Sequence, residues 1–180
     1  RPKNFLEIGV LEGVTSRNVC EKLNQINNSN FNYVGIDLFG DDLTQNNKKE
    51  FTPISYKINN PLKWIYFKII LRMDPNSKEC VKYLLRKFKN NVKILQGYSK
   101  NILGKMDLRI IDFVFLDGGH SYQTVKDDLD LLTSNLKKNS IIICDDYNIK
   151  HYGVKKAVDE IKNNFIFKDL GRFAFLKIKK

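Results

Sequence analysis

The 180-residue sequence has few cysteines, few arginines and no long hydrophobic run. Each shortage excludes a class of protein. Cys20, Cys80 and Cys144 are odd in number and far apart, with no CxxC pair and no disulfide framework, so a reducing cytoplasm is the expected compartment. The longest apolar stretches, such as Ile141-Ile142-Ile143-Cys144, are far too short to span a bilayer. No signal-peptide pattern opens the chain, because Phe5-Leu6 is followed at once by Glu7. A membrane or secreted protein is therefore not expected. Internal repeats and low-complexity tracts are absent, and neither a GxxxxGK[ST] loop nor a GxGxxG turn occurs.

What is present fits one soluble globular domain over residues 1–180, with 42% hydrophobic and 28% charged residues. The chain opens on Arg1 with its apolar pattern already running by Phe5, as expected of a domain cut from a longer protein. The net charge of +11 raises the question of a nucleic-acid partner. Its basic residues are mostly lysines, scattered singly or in pairs, whereas phosphate-reading surfaces favour clustered arginine. A solvated basic surface is the favoured reading.

Short apolar runs alternate with helical periodicities along the chain. Strands are expected at Phe5–Val10, Tyr33–Leu38, Val92–Leu95, Ile111–Leu116 and Ser140–Cys144, with a final pair at 165–169 and 173–178 around a Leu170-Gly171 turn. Helices are expected with Thr15-Ser16 as the cap of the first, over Pro61–Leu71, from an Asn76-Ser77 start to about Lys89, with Ser121 as the cap of the next, and from Gly153 to Asn163. Segment 39–60 is polar and irregular. Such alternation predicts an α/β fold: a Rossmann-like open, mostly parallel seven-stranded sheet, helices on both faces, and a C-terminal antiparallel hairpin.

In sheets of this kind ligands bind beyond the carboxyl ends of the strands. Four of the five relevant strand ends carry an acid, which suits a ligand with hydroxyls and positive charge, or a metal, better than a phosphate. Gly9 and Gly13 permit a tight turn and a close approach to a ligand. Asp37, ending the second strand, can accept two hydrogen bonds from a ribose diol. Together they favour nucleoside binding. Asp117 and Asp145-Asp146 end what should be neighbouring strands, and carboxylates brought that close repel unless a cation or proton intervenes. Hard oxygen donors with room for water suit Mg²⁺.

Four segments carry a resemblance: Phe5-Leu6-Glu7-Ile8-Gly9 to Gly13, Gly35-Ile36-Asp37, Phe115-Leu116-Asp117-Gly118-Gly119-His120-Ser121-Tyr122, and Ile143-Cys144-Asp145-Asp146-Tyr147. The chain resembles class I S-adenosylmethionine-dependent methyltransferases, and more narrowly the metal-dependent O-methyltransferases related to the catechol and macrocin enzymes. The resemblance implies that Glu7 and Gly9, with the Gly13 turn, sit by the methionine portion of the cofactor. It implies that Asp37 holds the ribose and that Gln96, Gly97 and Ser99 lie along the adenine. Asp117, Asp145 and Asp146 match the family's metal ligands, and Asp117 also belongs to the cofactor and catalytic groups. His120 stands where the catechol enzymes carry a lysine base, a departure that a histidine can fill chemically.

The expected function is methyl transfer from S-adenosylmethionine to a hydroxyl of a small polyhydroxylated acceptor, a sugar favoured, assisted by a divalent ion. The alternatives are a nucleic-acid methyltransferase and a non-catalytic cofactor-binding module. Against the former, the Asn/Asp-Pro-Pro-aromatic turn of base-amino methyltransferases is missing after the fourth strand, where Asp117-Gly118-Gly119-His120 stands. Residues 39–75, with Trp64, Tyr66 and Phe67, form a candidate lid over the acceptor. Tyr122 and Tyr147 flank the acids as candidate pocket residues, and His151 falls in a polar loop without an expected role.

Overall fold

The computed structural model describes residues 1–39, 60–148 and 152–179. His151 and residues 40–59 of the candidate lid lie outside the described residues. Seven strands form one sheet: β1 (Asn4–Ile8), β2 (Asn32–Asp37), β3 (Val92–Gln96), β4 (Phe113–Leu116), β5 (Ile141–Cys144), β6 (Phe165–Leu170) and β7 (Phe173–Ile178). Their spatial order is β3-β2-β1-β4-β5-β7-β6. The first five are parallel, and β7 pairs antiparallel with both β5 and β6. The α/β architecture read from the sequence is the one observed. From β1 the chain winds outwards through β2 and β3, then returns to lay β4 on the other side of β1. The switch point is thus the crevice between β1 and β4, where open α/β sheets place their ligands.

Strand alternation sends side chains to two separate cores. Phe5, Tyr33 and Ile94 face α1 (Val14–Asn27) and α3 (Lys78–Leu84), packing with Cys20, Leu23, Val81, Leu85 and Phe88. On this face Phe5 stacks on its register neighbours Tyr33 and Phe113, with ring centroids 6.0 and 5.0 Å apart. Leu6, Ile8, Ile36, Val114, Leu116 and Ile142 face the other way, onto α4 (Ser99–Leu103), α5 (Tyr122–Asn135) and α6 (Tyr152–Ile161). Burial on both faces explains why the central strands read as continuous apolar runs. All three cysteines are buried and unpaired.

Two local expectations change. The helix after the first turn is not capped by Thr15 or Ser16: Gly13 occupies the cap position with φ +77° and no side-chain cap. Ser16 is instead turned into the protein, where a carboxylate needs its hydroxyl. Over Pro61–Leu71 a helix forms, capped by Asn60, whose side-chain oxygen accepts from the Leu62 and Lys63 amides. It runs as α2 (Pro61–Trp64) and then widens to π geometry over Ile65–Ile70. Ser77 and Ser121 cap α3 and α5 as expected, each accepting an amide three residues on. Helix α4 was not legible, being one short turn after a glycine.

Candidate active site

At the end of β1 the chain turns through Gly9, and no other residue fits. Its φ is +94°, and an added Cβ would stand 1.9 Å from the carbonyl oxygen of Asp117. The ends of β1 and β4 are therefore in backbone contact, with the Gly9 amide bonded to the Ile36 carbonyl and the Asp117 amide to that of Ile8. Asp37 fastens the rest of the turn. Its Oδ2 accepts from the amides of Val10 (2.7 Å) and Leu11 (2.8 Å), and its Oδ1 accepts from the Phe39 amide. The carboxylate thus builds the Gly9–Gly13 loop.

Gln96, Gly97 and Ser99 sit beside Asp37 at the end of β3. The Gly97 amide donates to the Asp37 carbonyl, and Gln96 Nε2 donates to the Leu38 carbonyl. Ser99 Oγ donates to Asp128, a carboxylate buried in α5, which ties the start of α4 to that helix.

Glu7 is sealed beneath the turn rather than open to it, with 1% of its surface exposed. It accepts hydrogen bonds from Ser16 of α1 and from the Tyr33 hydroxyl of β2. Its second oxygen has no partner among the described residues. Burial pushes this carboxyl up to about 7, against the lowering effect of its two hydroxyl partners. Tyr33 is likewise pushed upwards, by burial and by the adjacent Glu7. Neither Ser16 nor Tyr33 was anticipated. The signal was a glutamate inside an apolar strand, which requires buried donors.

The acids of β4 and β5 meet on the other side of Gly9. Ligand atoms of Asp117, His120 and Asp146 all lie within 4.8 Å of one another. His120 Nε2 is 3.2 Å from Asp146 Oδ2, and Asp146 reaches this position with a left-handed backbone, φ +56°. Asp145 is engaged differently. Its buried carboxylate is held by Arg172, from the turn between β6 and β7, through contacts of 2.5 and 2.6 Å. Arg172 also lies 3.4 Å from Asp146. It was missed because a lone arginine in a hairpin turn, 27 residues from its partner, has no local signature.

The cluster carries excess negative charge. Burial, and then the Asp145 and Asp146 carboxylates, push Asp117 up to about 7. The Asp117 carboxylate accepts no hydrogen bond among the described residues. Arg172 holds Asp145 and lies beside Asp146, so a single guanidinium is set against three acids. Asp117 and Asp146, two carboxylates with ligand atoms this close, are an oxygen donor set that fits Mg²⁺, which takes few protein ligands. Tyr147 and Tyr122 are accounted for by packing: Tyr147 is buried and donates to Asp159, and the Tyr122 hydroxyl donates to Glu160.

A glycine turn at the β1/β4 switch point, an acid ending β2 and further acids ending β4 and β5 are the architecture of a class I S-adenosylmethionine-dependent methyltransferase. Residues 6–147 match the methyltransferase-domain family model, and the chain belongs to that family. Among solved structures it is similar to the O-methyltransferase NovP (17% identity, TM-score 0.67, covering 99% of this chain and 73% of that one). It is also similar to CalS11, a TDP-rhamnose 3'-O-methyltransferase of calicheamicin biosynthesis (18%, TM-score 0.62, 98% and 71%). A third is TomG from Streptomyces achromogenes, solved with S-adenosylmethionine (13%, TM-score 0.63, 99% and 74%). At these identities the likeness establishes the fold. A search of curated proteins by sequence finds no match.

Proposed function

We propose that the domain transfers a methyl group to a hydroxyl oxygen of a small polyhydroxylated acceptor, most naturally a sugar, in the cytoplasm. The observation that carries this reading is the meeting of Asp117, His120 and Asp146 at the strand ends, against the Gly9 turn. The cofactor supplies an activated methyl group, and a divalent ion would supply a charge that acidifies the acceptor hydroxyl. Around them, this chain's residues bind and orient. The Gly9–Gly13 loop and Asp37 receive the methionine and ribose portions, with Gln96, Gly97 and Ser99 along the adenine. Glu7 supports the loop from below through Ser16 and Tyr33.

Asp117 and Asp146 would hold the ion, and Asp145 completes the acidic group while clamped by Arg172. His120, kept in place by Asp146, takes the proton of the acceptor hydroxyl. Since displacement at the methyl group is in line, alignment by these fixed strand ends is the main contribution of the protein. The sugar preference draws support from the likeness to CalS11, a TDP-rhamnose 3'-O-methyltransferase, and from the macrocin-like Asp-Gly-Gly-His and Asp-Asp-Tyr segments.

The test is transfer of labelled methyl from S-adenosylmethionine to a panel of sugars and catechols, with EDTA, with added Mg²⁺, and with Asp146→Ala. Transfer to a hydroxyl that EDTA and Asp146→Ala both abolish is expected. Undiminished transfer in EDTA would remove the metal, transfer only to RNA or DNA would make this a nucleic-acid methyltransferase, and cofactor binding with no acceptor at all would leave a binding module.

A further inference from the structure

Much of the apolar surface of the helix formed by α2 and its π-helical continuation is exposed. Phe67 and Leu71, one row of the helix, are half-buried. Beside it Leu62, Ile65, Ile69 and Ile70 are exposed, Leu62 by 75% and Ile70 by 66%, while the partly exposed Tyr66 is hydrogen-bonded to Tyr83 of α3. Trp64, the single tryptophan of the chain, is 47% exposed beside them. A helix meant only for this protein's core would present these side chains inwards. Large apolar side chains left exposed together on one helix mark an interaction site.

The charges around it select the partner. Lys63, Lys68 and Arg72 are exposed along the same segment, and the sequence contains no acid between Glu50 and Asp74. Lys68 pairs with Asp74 at 3.0 Å, leaving the segment basic overall on a protein of net charge +11. A second copy docking through this helix across a two-fold axis would set like charges against one another. Lysine is also depleted at protein interfaces. At a bilayer surface the same composition is favourable: lysine stems lie along the acyl boundary with the ammonium groups at anionic headgroups, and Trp and Tyr rings rest at headgroup level.

We infer that residues 60–72 form an interfacial helix that docks the domain on an anionic lipid surface, its exposed apolar side chains entering the headgroup boundary. Short apolar runs exclude a spanning segment, and no described helix is long and apolar enough to cross a membrane, but adsorption needs neither. The inference stands without the methyl-transfer reading.

Trp64 provides the readout. Purified protein is titrated with vesicles of phosphatidylcholine alone and of phosphatidylcholine with one-quarter phosphatidylglycerol, following tryptophan emission and co-sedimentation. A blue shift and partitioning onto the anionic vesicles, weakened by salt, are expected. Ile65→Ser/Ile69→Ser, which retains Trp64 and changes only exposed positions, should reduce that partitioning at least about tenfold. Its circular dichroism and S-adenosylmethionine affinity should match wild type. Equal partitioning of variant and wild type would mean that diffuse charge binds the vesicles, and overturns the helix assignment. So would no partitioning at all, or a concentration-dependent dimer in sedimentation velocity that the double variant dissociates, which would give the helix to a second copy.

Discussion

Arg172, in the turn of the terminal hairpin, grips Asp145 at the end of β5 through contacts of 2.5 and 2.6 Å. The last structural unit of the chain thereby closes the acidic group begun at Asp117. The hairpin is more than an edge for the sheet: β7 lies against β5, which brings its turn to the strand ends. Arg172→Met should lower the melting temperature by leaving a buried carboxylate without its counter-charge, and Arg172→Lys should recover only part, since lysine cannot form the two-pronged contact. Thermal denaturation of the three proteins measures this.

Glu7 predicts an inverted pH dependence. Its folded-state value of about 7 lies above the ordinary glutamate value, so the folded protein binds the extra proton between them. Its contribution to stability is therefore greatest below pH 4.5 and is lost as pH rises towards 7. Glu7→Gln keeps an oxygen for Ser16 and Tyr33 while removing the buried charge. Denaturant unfolding should show the variant close to wild type at pH 5 and more stable by about 2–3 kcal/mol at pH 8.5.

Asp37 links the cofactor loop to β2 through the Val10 and Leu11 amides. Asp37→Ala frees these donors and removes an acceptor for the ribose. Affinity for S-adenosylmethionine should fall by about 1–3 kcal/mol by calorimetry. Equal affinity in both proteins would remove the ribose assignment.

Gly9→Ala should be among the most damaging single changes in the chain. The new methyl group would overlap the Asp117 carbonyl, and both residues are fixed by backbone hydrogen bonds, Gly9 to Ile36 and Asp117 to Ile8. A loss of about 3 kcal/mol or more is expected, read as a collapse of the cooperative thermal transition. Gly171→Ala, at an open turn with φ +75° and nothing within 4 Å, should cost about 1–2 kcal/mol through backbone conformation alone.

His120→Ala separates proton removal from binding. If His120 is the base, methyl transfer should fall by about 10²–10⁴-fold while S-adenosylmethionine affinity stays unchanged. Single-turnover transfer at saturating cofactor distinguishes this from a loss of binding.

The sequence by itself determined the alternation of elements, because apolar runs buried on two faces and helices buried on one leave different periods. It also determined which residues end the strands, and with them Gly9, Asp37, Asp117 and Asp145-Asp146 as candidates. Their division of labour was decided only in three dimensions. Spacing could not separate Asp145 from Asp146, since adjacent residues differ in partner only through the left-handed turn at Asp146 and the arrival of Arg172 from the far hairpin. Nor could it show that Asp37 fastens the Gly9–Gly13 loop, that Ser16 serves Glu7 instead of capping a helix, or that Leu62, Trp64, Ile65, Ile69 and Ile70 are left exposed. Each of these depends on contacts between segments distant along the chain, and local periodicity records which residues are apolar, not what the folded chain brings against them.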